Sequence, residues 1–464
     1  MFETIRNAFK IKEVRRKILM TILFVVLFRI GCYITVPGLG DISSTLESNS
    51  GDIFSLLNSI TGSALSQGTL FSLGISPYIN ASIIVQLLTV AIPALERMSK
   101  EGEEGREKIN KITRWVTLVL AIVSAVGVFL SLRGTEGYIN YAWLGGEGTS
   151  FYAFFQSTGG QWVMGIYIVI MLVGGSMLCM WIGERITEYG VSNGISMIIF
   201  VGIIATAAQQ LVKVIGGAIQ GTTSNWYIAL IFIVGLVLVF GFIVWVDGAE
   251  RKIKVQYAKQ VKGNKMYGGQ STFIPIKVNA SGVMPLIFAY ALMSFPTMLI
   301  QTFWSSSNFA TWWATYMTAS GGHWVGTLVY NVILAILIFV FAYFYSQIQF
   351  NPVEISRNIQ NNGGFVTGIR PGRETAEYLA KVVSRITLWG AVFLAIIAFV
   401  PSILFSIPGW AGLGNDTQLV SSMSATGMLI VVSVALEFNK ALENQILMRH
   451  YKGLLGSNSK GFLK

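Results

Sequence analysis

Lysine and arginine are distributed along this chain in a pattern that few folds can satisfy. Ten apolar stretches, each close to the roughly 20 residues that a membrane-crossing helix needs, divide the sequence. Residues 115–132, 162–183, 226–246, 324–346 and 386–406 carry no charge at all. Residues 18–37 carry only Arg29, 74–95 and 281–303 contain internal prolines, 194–215 includes Lys213, and 425–442 includes Glu437 and Lys440. The segments between them fall into two classes. The N-terminal arm (Arg6 to Lys17), the segment after the second stretch (Arg97 to Arg114), those after the sixth (Arg251 to Lys277) and eighth (Arg357 to Lys381), and the tail are rich in Lys and Arg. Residues 134–161, 218–225, 304–323 and 407–424 have neither. Strict alternation of this kind is the positive-inside pattern, and it predicts ten transmembrane helices with both termini cytoplasmic. A missed or invented span would mix the two classes.

Composition agrees. Hydrophobic residues make up 53% and charged residues only 12%, about half the usual charged share of about 25%. Disorder, a coiled coil, a disulfide scaffold and a nucleic-acid-binding globule are excluded, so the net charge of +11 reads as loop charge facing anionic lipid. Cys32 and Cys179 lie in apolar stretches, and His323 and His450 are far apart, so no metal-ligand spacing occurs. The basic, then apolar N-terminus has no small-residue cleavage pattern after it and reads as a retained first span.

Ten spans divide as five and five near residue 220. Five is odd, so a second half built like the first would enter the membrane from the opposite side, which opens an inverted-repeat architecture to the chain. Between the first two spans, residues 53–60 (Ile-Phe-Ser-Leu-Leu-Asn-Ser-Ile) are apolar at helical spacing but too short to cross. They fit an interfacial amphipathic helix, or a re-entrant helix sheltered by protein. Chemistry is scarce. There is no GxxxxGK[ST] phosphate loop and no catalytic triad. Glu184, Asp247 and Glu250 sit at span ends, and Glu437 has Lys440 close by. A cation-coupled secondary transporter with five-plus-five repeats remains the alternative, but it wants an ionisable site near the midplane, and no good candidate is present. The membrane part therefore reads as a passive conduit or scaffold without enzymatic activity, cofactor or metal, and the two long basic segments (about 247–280 and 347–382) as docking surfaces.

Several motifs now point further. Leu73-Gly74-Ile75-Ser76-Pro77-Tyr78-Ile79-Asn80-Ala81-Ser82 through Leu88 resembles the second span of the SecY/Sec61 alpha family of protein-translocation channels. Gly183-Glu184-Arg185-Ile186-Thr187-Glu188, Gly190-Val191-Ser192-Asn193-Gly194, Gln270-Ser271-Thr272 through Asn279, and Gly368-Ile369-Arg370-Pro371-Gly372 follow in family order, with spacing similar to bacterial members. The resemblance implies an all-α polytopic membrane protein of the bacterial plasma membrane. Ten helices in two inverted halves, 1–220 and 221–464, would form a clamshell around an hourglass pore. It implies a protein-conducting channel that passes signal-bearing precursors and releases apolar segments sideways into lipid.

Residue roles carry over from the same resemblance. The pore ring would comprise Ile75, Ile79, Ile195, Ile199, Ile287 and Ile430, an apolar collar that offers a sliding polypeptide no fixed hydrogen bonds. The re-entrant plug would span about 53–66, with Ile53, Phe54, Leu56, Leu57, Ile60, Gly62 and Leu65. Pro77, Gln86, Asn193 and Pro285 would belong to a lateral gate. Lys259, Lys262, Lys265, Arg370 and Arg373 would dock the driving partner, the SecA ATPase or a ribosome. SecE and SecG are the implied small subunits, and no nucleic-acid sequence is recognised.

Overall fold

The computed structural model describes residues 2–41, 58, 61–132, 139, 158–219, 226–257, 260–262, 265–267, 271–279, 282, 284–304, 307–317, 324–406 and 425–459. Each of the ten apolar stretches is largely helical, although residues 32–37 of the first lie beyond the end of its helix and the second is broken at Ile92. In chain order the elements are α1 (Phe2–Lys10), α2 (Lys12–Gly31), α3 (Ser76–Ala91), α4 (Pro93–Lys100), α5 (Glu103–Leu132), α6 (Thr158–Tyr189), α7 (Gly194–Ile219) and α8 (Trp226–Asp247). Next come β1 (Glu250–Tyr257), β2 (Gln260–Lys262), β3 (Lys265–Tyr267), β4 (Ser271–Lys277), α9 (Met284–Phe303), α10 (Asn308–Tyr316) and α11 (Trp324–Gln349). The chain continues with α12 (Pro352–Asn361), β5 (Gly364–Val366), α13 (Arg373–Ser406) and α14 (Ala425–Ser459). The fold is mostly helical. The all-α expectation needs one correction: the basic segment after α8 and the loop before α13 contribute five short strands. Among the described residues four helices, or five with the bent pair α3–α4, are long and apolar enough to cross a membrane by length and composition.

The chain divides into two compact units. The first comprises Met1–Trp226, Ala291–Thr327 and Leu413–Lys464. Its core joins α5 and α6 through Val128, Phe129, Ile168 and Leu172 to Val36, Leu65 and Leu73 from the connection between α2 and α3. A smaller cluster, Ala8, Val14, Ile18, Val191 and Leu442, fastens the N-terminal helices to α14. Proline sets one sharp corner. Pro93 has no N–H and forces the residue before it out of the α region, so Ile92 is extended (φ −107°, ψ 113°) and α4 leaves α3 at 106°. Gly105 makes the next corner possible, since a Cβ there would stand 1.8 Å from the Met98 carbonyl oxygen.

The second unit comprises Tyr227–Tyr290 and Leu328–Gly412. Here the two basic segments fold together. Strands β4, β1 and β5 form an antiparallel sheet in that order. Ile253 and Val255 alternate inward while Lys252 and Lys254 face water, the period-two pattern of a half-buried strand. Pro275 is confined to the edge strand β4, where its missing donor costs no ladder bond. The sheet packs on α12 and the start of α13 through Ile359, Leu379, Val382 and Val383. Asp247, at the end of α8, accepts a buried 2.9 Å hydrogen bond from Asn279 Nδ2, which fixes how the chain leaves the sheet.

Candidate functional site

The first unit holds an unusual interior. Residues 61–74 are not helical in any regular way, yet Thr61, Ala64, Leu65, Ser66, Thr69 and Ser72 are all buried. Irregular backbone can sit inside a bundle only if its polar groups find partners. They do so locally. Asn58 Oδ1 accepts from the Ser66 N–H at 3.0 Å, Thr69 and Ser72 hydroxyls both donate to the Ala64 carbonyl at 3.1 Å, and Ser66 Oγ donates to the Ser63 carbonyl at 3.0 Å. Two further bonds reach the surrounding helices. Ser63 Oγ donates to Gln209 Oε1 of α7 at 3.0 Å, and Ser176 Oγ of α6 donates to the Gly74 carbonyl at 3.2 Å.

The turn at Gly62 and Ser63 is left-handed at both residues (φ +72° and +70°), a conformation that glycine accepts freely and serine does not. A Cβ at Gly62 would stand 2.4 Å from an Arg29 guanidinium nitrogen, Nη1, and 3.4 Å from Gly202 Cα of α7. Arg29, the single charge of the first apolar stretch, is therefore half-buried against this turn. Its guanidinium also lies 5.4 Å from the Tyr33 ring centroid and donates to the Tyr33 hydroxyl at 3.4 Å. Next to it, Phe71 stacks on Phe28 at 5.7 Å, in space that exists only because residue 31 is glycine.

The structure places the candidate pore-ring residues as follows. Ile75 occupies the N-cap of α3, Ile79 follows one turn later, and both are buried. Ile199 and Ile430 are buried too, whereas Ile195 is half-buried. Ile75 and Ile195 are brought together, for a Cβ on Gly183 of α6 would meet Ile75 Cδ1 at 3.3 Å and Ile195 Cγ1 at 3.8 Å, together with Ile198 Cδ1 at 3.4 Å. Ile287 belongs to the second unit and is half-buried on the first turn of α9. Of the plug candidates, Gly62 and Leu65 are buried in the irregular segment. Ile53, Phe54, Leu56, Leu57 and Ile60 lie outside the described residues.

Among the gate candidates, Pro77 is in the first turn of α3 and buried, Gln86 Nε2 donates to Ser82 Oγ at 3.2 Å, and Pro285 is buried near the start of α9. Asn193 precedes the first residue of α7, and its Oδ1 accepts from the Ile195 N–H at 3.0 Å while its carbonyl accepts from Met197. That is helix capping, and the Ser-Asn-Gly run before an apolar stretch announces it in sequence.

Arg370 and Arg373 sit on the α/β platform of the second unit, and Lys262 and Lys265 on a separate two-stranded sheet of the same unit. Strands β2 and β3 pair antiparallel, with Lys262 opposite Lys265 as the last Cα pair; Lys259 lies outside the described residues. Arg370 is exposed at the turn between β5 and α13. This turn is held by its backbone: Thr375 Oγ1 donates to the Arg370 carbonyl at 2.7 Å and Ser356 Oγ to the Gly372 carbonyl at 2.6 Å. Gly368 and Gly372 adopt φ +84° and +101°. The Arg370 side chain is thus presented by a rigid mount, whereas Arg373 pairs with Glu377 one turn on at 3.0 Å. Reading the sequence alone missed this mount, because pairing β1 with β5 depends on two segments more than a hundred residues apart.

A family model for SecY matches residues 69–439. The chain belongs to the SecY family. It is 38% identical to the SecY protein translocase subunit of Streptomyces coelicolor over 461 residues, covering 98% of this chain and all of that one. It is 37% identical to the Thermus thermophilus subunit over 473 residues, covering 100% and 99%. Among solved structures, a protein conducting channel superposes with a TM-score of 0.65 at 21% identity, covering 93% of this chain and 92% of that one. Sec61 from a canine ribosome-channel complex gives 0.62 at 20% identity with the same coverage. These structural likenesses speak for the SecY fold, and none of the four proteins is a cation-coupled transporter.

Proposed function

We propose that this chain forms the polypeptide-conducting pore of a bacterial plasma-membrane translocase. Membership of the SecY family makes it a translocase subunit and not an enzyme, and leaves the secondary-transporter alternative without support. The finer picture is our reading. Ten spans in two halves, 1–220 and 221–464, form a clamshell with both termini cytoplasmic. Ile75, Ile79, Ile195, Ile199, Ile287 and Ile430 make a narrow apolar collar that disfavours hydrated ions yet lets an unfolded chain slide. The segment reaching to Ser66 acts as the plug. Helices α3 and α9, with Pro77, Gln86 and Pro285, line the lateral gate. The observation that carries this reading is the buried, irregular segment 61–74, whose polar groups bond mainly within it and which reaches α7 and α6 through the Ser63 and Ser176 hydroxyls.

Each of those two polar attachments contributes only about 1 kcal/mol, while Leu65, Phe71 and Leu73 are packed among core side chains, so displacing the segment needs free energy from outside. A signal sequence then supplies enough free energy to open the channel. Each Leu, Ile, Phe or Val moved to a helix centre in lipid contributes about −0.3 to −0.6 kcal/mol, so ten contribute about −3 to −6 kcal/mol. Force comes from SecA or a ribosome docked on Arg370 and the β2–β3 hairpin, with SecE and SecG as companion subunits and anionic lipid facing the basic loops.

The test is reconstitution into vesicles. The channel reading requires import of a signal-bearing precursor that depends on SecA and ATP. Solute flux from the purified chain without precursor import would favour a transporter instead.

A further inference from the structure

Helix α10 has no part in the pore, gate or docking platform. It is nine residues long, hence about 13 Å, far short of the roughly 30 Å hydrocarbon layer. Its face is aromatic. Phe309, Trp312 and Tyr316 are 51%, 46% and 37% exposed. The rings touch one another, with Phe309–Trp312 centroids at 6.0 Å and Trp312–Tyr316 at 5.9 Å. The flank of this face is tied down by Trp313, whose ring also touches Phe309 at 6.0 Å. Trp313 Nε1 donates to Thr297 Oγ1 at 3.0 Å, one residue beyond Pro296 of α9. A Cβ on Gly326 of α11 would stand 2.1 Å from the Thr315 carbonyl oxygen, so the end of α10 rests directly on α11.

The hydroxyls of the cap and of the two threonines bond within the helix. Ser307 caps it by accepting from the Ala310 N–H at 3.1 Å. Thr311 and Thr315 hydroxyls donate to the carbonyls of Asn308 and Thr311, each at 2.8 Å. No Asp, Glu, Lys or Arg occurs anywhere in residues 278–353.

We infer that α10 is an interfacial anchor: its Phe309–Trp312–Tyr316 face lies in the headgroup layer of the outer leaflet and holds the outer end of α9 there through the Trp313–Thr297 bond. Trp and Tyr rings concentrate at that depth because one edge is apolar and the other wet. Protein-protein interfaces also favour aromatic residues. Lipid is the better occupant here because Trp304 and Val325, close to the two ends of α10 in the chain, are exposed apolar side chains as well, and because residues 278–353 supply no charged side chain for a polar rim. A helix without formal charge also needs no anionic lipid, so its depth is set by the rings alone. The outer location rests on the topology proposed above.

The test uses the full chain with its companion subunits in phosphatidylcholine vesicles. Cys32 and Cys179, both buried, are replaced by serine, and a nitroxide is placed singly at 309, 312, 316 and, for comparison, 311. The ratio of oxygen to nickel-chelate collision rates is expected to be higher at the three ring positions than at 311, and unchanged when anionic lipid is added. Equal, water-like ratios at all four overturn the inference. A benzophenone amino acid at 312 in the chain with its native cysteines should crosslink to lipid; crosslinks to a companion subunit instead refute it. A His323→Cys variant labelled by impermeant maleimide from the cytoplasmic side would sink the topology, a different failure from an anchor on the correct side that stays in water.

Discussion

Gly62→Ala probes the seal directly. The residue has φ +72°, and the new methyl would stand 2.4 Å from Arg29 Nη1. A left-handed alanine costs roughly 1–2 kcal/mol, and pushing the guanidinium off the turn adds to it. If the plug segment of about 53–66 closes the pore, the seated state loses about 1–3 kcal/mol relative to the unseated one, and the unseated population rises by roughly 5- to 150-fold. Single-channel recording in planar bilayers should therefore show more frequent openings of the resting channel without precursor. Gly102→Ala is the control. Its φ of +83° carries a similar backbone cost, yet nothing lies within 4 Å of the added Cβ, and resting conductance should not change. If Gly62→Ala leaves the resting channel as silent as the parent, or Gly102→Ala leaks equally, the assignment of this turn to a seal is wrong.

Four further outcomes are expected. Arg370→Glu should abolish SecA-driven import with the melting temperature unchanged, because the turn uses the backbone of Arg370 and exposes its side chain; normal import would refute the docking role. Ile430→Asn should raise resting ion leak, and unchanged conductance would remove Ile430 from the collar. Leu379→Ala, at the fully buried centre of the platform, should cost about 2–5 kcal/mol and open the β1–β4 sheet to limited proteolysis; a protease-resistant variant would contradict the shared core. Arg114→Met removes the two-pronged ion pair to Glu184 (2.9 and 2.8 Å). With Arg114 half-exposed, the loss should be only about 1 kcal/mol or less, and a large drop in melting temperature would show that the pair is worth far more than its exposure suggests.

Hydrophobic runs and charge alternation are local properties of the chain, which is why all ten apolar stretches are largely helical. Features produced by one residue meeting a distant one are harder to read. The strand Glu250–Tyr257 hides its Ile253/Val255 alternation among four charged residues, and its partner β5 is only three residues long, so the basic loops read as mere loops. Helix α10 lies within an uncharged segment that reads as an external connection; its Asn-Phe-Ala-Thr-Trp-Trp spacing is amphipathic but shorter than the usual helical window. Asn193 is legible as a helix cap from its immediate neighbours, whereas the family resemblance points to the gate instead. The irregular stretch 61–74 illustrates a deeper limit. Its burial depends on Leu65 and Leu73 packing with α5 and α6, on Ser63 reaching Gln209 and on Ser176 reaching Gly74, contacts that no periodicity records.

The central claim is that an unfolded polypeptide passes through an aliphatic constriction built from separate helices of this chain. It is tested most directly by arresting a precursor midway through import, with a photoreactive amino acid placed in turn at residues 79, 199, 287 and 430. The account predicts crosslinks to the arrested precursor from all four positions, and none from a probe at the exposed Ile170 of α6. Probes that react only with lipid or with neighbouring helices while the precursor is held in transit would contradict it.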